Sequence, residues 1–227
     1  GVFGALTTGD NNVAVGLNAL DVITTGGGNT GVGSASLSSL TTASGNTAVG
    51  GNSLVANTTG ACNTSVGKNS MLANTEGVEN VGIGSSSLDA NTTGDYNVAV
   101  GANSLSANTT ADDNTGIGVA ALRDNTTGAE NTAVGRSALK VNTTGGQNTA
   151  LGALSLDANT TGAQNVGLGN ETLGANTTGA SNVAVGFNTL GANTTAAGNA
   201  AVGYRSLQTN TTGCCNVAIG CETLGAN

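Results

Sequence analysis

The chain has 227 residues, of which 38 are Gly, none is Pro or Trp and 2% are aromatic, so a conventional core of bulky side chains is excluded. Charged residues make up 8% and hydrophobic ones 37%, a balance that argues for an ordered chain and against a disordered one. A net charge of -8 with only 5 Lys and Arg leaves no basic patch for nucleic acid, and no apolar run reaches the roughly 20 residues of a membrane-spanning helix, so neither nucleic acid nor membrane insertion is expected.

From the N-terminus onward, Asn recurs every 17 residues, from Asn12, Asn29 and Asn46 to Asn199 and Asn216, without a slip. One unit is therefore used again and again along the chain. Residues 1–11 read as the tail of a preceding unit, with Phe3 in its Leu position; residues 12–215 hold twelve full repeats, and 216–227 a partial one. The whole of 1–227 is expected to form a single continuous solenoid. With Asn as position 1, the consensus is N-[VT]-[AG]-[VIL]-G-x-x-[SAT]-L-x-A-N-T-T-G-x-x, as in residues 148–164.

Positions 2 to 4 alternate with period two, which predicts a short strand, and the Gly at position 5 (Gly16, Gly50, Gly135, Gly220) predicts a corner. Positions 9 to 11 predict a second strand, closed by the N-T-T-G corner. The expected fold is all-β: a parallel β-solenoid in the form of a two-sided β-roll, with about 13 stacked coils of 17 residues. Its core ladder is expected to combine the position-4 and position-9 columns, Val15, Leu20, Val49, Leu54, Val134, Leu139, Val185 and Leu190. By the same alternation, the small residues at positions 3 and 8 should point outward, where they would let a second copy pack closely.

The polar columns carry two readings. Asn at positions 1 and 12 can form amide ladders from coil to coil. Nine of the position-12 residues also head N-T-T sequons and are candidate N-glycosylation acceptors: Asn57, Asn91, Asn108, Asn125, Asn142, Asn159, Asn176, Asn193 and Asn210. Burial of position 12 decides between ladder and glycan. Asp95, Asp112, Asp113 and Glu130 sit at positions 16 and 17, where a solvated turn is expected before a weak Ca²⁺ site. The chain has no His, so Ser-His and Cys-His pairs and His-ligated metals cannot be assembled; no enzymatic activity and no cofactor are expected. Cys62, Cys214, Cys215 and Cys221 are candidates for interchain disulfides in an oxidising exterior.

The strands Asn97 to Gly101 (NVAVG) and Asn216 to Gly220 (NVAIG) resemble the head repeats of trimeric autotransporter adhesins. The longer L-x-A-N-T-T-G unit resembles the repeat arrays of viral tail-fibre and microbial surface proteins. The adhesin resemblance implies a homotrimeric parallel β-roll displayed outside the cell. The expected function is a structural segment of an extracellular or viral fibre, at the cell or virion surface, with the chain itself as partner, as a trimer or a head-to-tail polymer. In the polymer, Phe3 is expected to lie against Leu224 of the neighbouring copy. Two alternatives are an adhesin that binds glycans or a host surface, and an ice-binding protein using Thr ladders at positions 13 and 14. Adjacent Thr in an extended segment would point to opposite faces, and the T-T-G context reads as a corner and not a flat sheet, both of which count against ice.

Overall fold

The computed structural model describes residues 1–224; the end of the last partial repeat, residues 225–227, lies outside the described residues. The chain is a parallel β-solenoid with one three-residue strand in each 17-residue coil and no helix among the described residues. It forms two compact units, Gly1–Asp113 and Asn114–Asn227. The first holds β1 (Val13–Val15), β2 (Thr30–Val32), β3 (Thr47–Val49), β4 (Thr64–Val66), β5 (Val81–Ile83) and β6 (Val98–Val100). The second holds β7 (Thr115–Ile117), β8 (Thr132–Val134), β9 (Thr149–Leu151), β10 (Val166–Leu168), β11 (Val183–Val185), β12 (Ala200–Val202) and β13 (Val217–Ile219).

Within each unit, successive strands pair in parallel with like position on like position, for example Thr47 with Thr64 and Val49 with Val66 in the first, Val183 with Ala200 and Val185 with Val202 in the second. The fixed 17-residue step makes this register unavoidable, since a slip of one residue would set every column against the wrong neighbour.

The faces of the strand are reversed from expectation. Position 3 is inside: Ala48, Ser65, Ala99, Ala133, Ala150 and Ala184 are wholly buried. Positions 2 and 4 are outside, so Val15 and Val49 are 57% and 37% exposed, and Val134 and Val185 are partly exposed. These four valines are not core. The Leu column is the core: Leu20, Leu54, Leu139 and Leu190 have no exposed surface.

The reason is thickness. The wall facing the strand presses Leu and a small hydroxyl directly onto position 3. Ser53 Oγ donates to Ser65 Oγ at 2.7 Å, and Ser70 Oγ reaches the Gly82 carbonyl at 2.9 Å, so position 8 of one coil bonds to position 3 of the next across the interior. A Cβ added at Gly82 would stand 2.9 Å from Met71 Cγ, closer than real side chains approach. A Val at position 3 has no room, and strand alternation then sends both flanking Val side chains out. Position 8 is likewise inside, as at Ser36, Ser53, Ala138 and Ser155, so neither small-residue column can be an exterior packing face.

One wall of the coil is sheet, and the other, expected to be a second strand, is a run of turns. In the coil of residues 148–164, φ is positive at Gly152 (134°), Leu154 (58°), Leu156 (53°) and Gln164 (60°). Ser155 N donates to the Gly152 carbonyl at 3.4 Å and Asn159 N to the Leu156 carbonyl at 3.1 Å, closing two successive turns. Asn at position 7 in other coils, such as Asn18, Asn52 and Asn103, suits the left-handed third residue of such a turn. Leu at position 9 takes left-handed φ with no such preference, and is held there because its side chain then enters the core while its N–H bonds the next coil, as Leu139 N does to the Ser155 carbonyl at 3.0 Å.

The expected corner glycines are at φ of 128° (Gly16), 133° (Gly50), 136° (Gly135) and 133° (Gly220). A Cβ on Gly135 would also meet the Gly152 backbone at 2.6 Å, so this column is closed to side chains twice over, by dihedral and by the coil beside it.

Candidate functional site

Inside the array, the position-1 amides use every hydrogen-bonding group they have, as at Asn148. Asn148 donates its backbone N–H and one Nδ2 hydrogen to Asn131 Oδ1, at 3.0 and 3.1 Å, and its second Nδ2 hydrogen to the Gly162 carbonyl at 2.9 Å. Its own Oδ1 receives the same pair from Asn165. The position-12 amides form a second ladder: Asn159 Nδ2 donates to Asn142 Oδ1 and to the Gly162 carbonyl, both at 2.9 Å. Gly162 thus joins the two ladders through one oxygen. Within the ladders, as at Asn148 and Asn159, the amides are buried at no uncompensated cost, since each side-chain donor and acceptor is met.

This geometry overturns the glycan reading. Asn57, Asn91, Asn108, Asn125, Asn142, Asn159, Asn176 and Asn193 have no exposed surface and Asn210 has 4%. Each Nδ2 donates to the residue three places on, as Asn57 does to Gly60 and Asn193 to Ala196. A glycan on that nitrogen would replace a bonded hydrogen and would have no path to solvent.

The Thr pairs face outward. Thr143 Oγ1 donates to the Thr160 carbonyl at 3.0 Å, and that carbonyl also receives the backbone N–H groups of Thr143 and Thr144. Position 13 is half-buried and tied down; position 14, as at Thr144, Thr161 and Thr178, is exposed. The segment is the corner that the N-T-T-G sequence predicts, with both N–H groups turned to one neighbouring oxygen, so the alternation of an extended strand does not apply to the pair.

The acidic turn residues act on backbone. Asp95 Oδ1 accepts the Val78 N–H at 2.7 Å, and Asp112 Oδ1 accepts the Asp95 N–H at 2.8 Å. From Glu130 to Ser181 position 17 forms an exposed side-chain ladder, with Gln147 Nε2 on Glu130 at 3.1 Å and Gln164 Nε2 on Gln147 at 3.1 Å. Asp113 is exposed at the same position. Among the described residues, no group of three or more His, Cys, Asp or Glu could hold a metal.

Cys62, Cys214, Cys215 and Cys221 are exposed and unbridged within the chain. Cys214, hydrogen-bonded to Cys215, holds the Cys215 thiol above its ordinary range. Phe3 is half-buried, and Leu224 is 43% exposed. An aromatic pair escaped the sequence reading: the rings of Phe187 and Tyr204 stack at 5.6 Å and 14°, with the Arg205 guanidinium 5.1 Å from the Tyr204 ring centre. The two rings are 17 residues apart at position 6, which was the available signal. What the chain offers a partner is thus a set of outward columns: the apolar residues at position 4 beside Val, Thr or Ala at position 2, the Thr corner and, from Glu130 to Ser181, a polar ladder at position 17. No protein-family model and no curated protein matches the chain.

Proposed function

We propose that this chain is a structural repeat segment of an extracellular or viral fibre, acting by presenting the same outward columns at every coil. The observation that supports it is the coil-to-coil identity of the bonding: Asn131, Asn148, Asn165 and Asn182 repeat one pattern of donors and acceptors at 17-residue steps. A contact made weakly by one coil is then available at the next, and tethered weak contacts sum to high avidity. The four exposed thiols would allow bridges between copies in an oxidising exterior. Negative-stain electron microscopy of the purified chain tests the reading, with filaments or spikes of uniform width expected. A dispersion of isolated monomers at high concentration would overturn it.

A second reading, contact with ice, draws on the Thr corner, where positions 13 and 14 both lie outside the core. It expects a gap between the melting and freezing points of a solution of the chain, and no gap would end it.

A further inference from the structure

Positions 4 and 10 are both partly exposed along the coil, yet they differ in what they tolerate. Position 10 accepts Asp89, Arg123, Lys140, Asp157, Gly174 and Gln208. Position 4 is Val, Ile or Leu in every coil, and none of the charged residues of the chain falls at position 2 or 4. The thirteen coils thus serve as one another's comparison. Solvent exposure alone would let a charge in at some coil, as it does at position 10, so something besides water limits this face.

We infer that the outer face of the sheet in the unit Asn114–Asn227 is an interface with a second copy of this chain, an inference that rests on the fibre reading and names its contact. The column Ile117, Val134, Leu151, Leu168, Val185 and Val202 runs beside position 2, which is Thr in β7 to β9 and Val or Ala in β10 to β13, with Leu151 50% and Ile117 40% exposed. Counting tens of Å² for each partly exposed side chain, the seven strands offer on the order of 800 Å², the size of one partner's share in a standard interface. A second copy is the occupant whose rows have the same spacing, so a knob at one coil that fits between two rows fits at all of them. None of the unit's charged residues stands at position 2 or 4, so joining two acidic chains here buries no charge carried by the strands themselves.

Pairing of β-branched residues within one sheet also favours Val and Ile at position 4. The experiment must separate that from contact between copies. Sedimentation of the full chain is measured for the wild type, for L151K/L168K/V202K, for the milder V134T/V185T/V202T, and for Q208K/D157K as a control. The wild type and the control are expected to associate with a Kd in about the micromolar range or tighter. The lysine variant should be monomeric with unchanged β circular dichroism, and the Thr variant should bind at least about tenfold more weakly, since it trades buried methyl groups for hydroxyls. If the lysine variant fails to fold, the Thr variant carries the test. A monomeric wild type, or folded variants that associate as the wild type does, would overturn the interface. Filaments that persist in the folded variants would sink this face and leave the fibre reading standing; dimers that dissolve in the variants without filaments in the wild type would do the reverse.

Discussion

At the scale of single residues, the chain is held by neutral amides more than by charge. Arg123 and Asp124 are the described side-chain ion pair, at 2.7 Å and well exposed, and such pairs contribute little. Asn159→Ala would strip the partner from Asn142 Oδ1 and from one Asn176 N–H, both buried. Each orphan costs about 1 to 3 kcal/mol, so the melting temperature should fall clearly, whereas Thr161→Ala on the exposed corner should leave it nearly unchanged. Equal melting curves would show that the ladder is not structural. Burial raises the carboxyls of Asp157 and Asp89 from their ordinary value, against their own backbone N–H groups and, for Asp89, the Ser86 hydroxyl and, for Asp157, the charge of Lys140. A raised carboxyl makes the folded state bind protons more tightly than the unfolded one. Stability from these groups therefore rises as pH falls through their folded range and is absent well above it. Asp157→Asn is expected to raise the melting temperature at neutral pH and to reduce its pH dependence in mildly acidic buffer.

At the scale of the element, the three-residue strand was legible and its orientation was not. Alternation at positions 2 to 4 marks a strand, but period two is symmetric: it says that two faces differ, and hydrophobicity alone predicts positions 2 and 4 as the inner one. Thickness chose instead. The wall of turns places Leu139 and its neighbours so close that only Ala, Gly or Ser fits opposite, as at Ala133 and Ala150. Ala133→Val should accordingly destabilise by about 1 to 3 kcal/mol through overpacking, while Val134→Ala, on the outer face, should cost less than Leu139→Ala at about 2 to 5 kcal/mol. Chemical denaturation of the three variants decides the matter, and a Val134→Ala cost equal to that of Leu139→Ala would restore the original orientation. The turn wall was hidden for a related reason. Asn at position 7 hints at left-handed backbone, but Leu at position 9 does not, and its φ near 50° follows from the turns on either side of it.

At the scale of the molecule, each coil depends on those above and below it, because its N–H groups are satisfied by neighbours 17 residues away. Stability should then be a sum over coils and their contacts. Deleting residues 148–164 joins Gln147 to Asn165 in phase and should leave a folded chain with a smaller denaturant m-value, whereas deleting 148–155 throws the Asn and Leu columns out of register and should unfold the unit. Circular dichroism across a urea series distinguishes the two, and equal behaviour would mean that phase does not matter. The period, the strand position, the corner glycines and the buried Leu column were determined by sequence alone, because each is a local demand of backbone or hydrophobicity repeated often enough to be read. Which side of the strand faces in, where the Asn amides point and what the outer surface presents were decided only by the tertiary structure. Those answers depend on the distance between two walls, and that distance is set by how neighbouring coils pack, not by the pattern within any one of them.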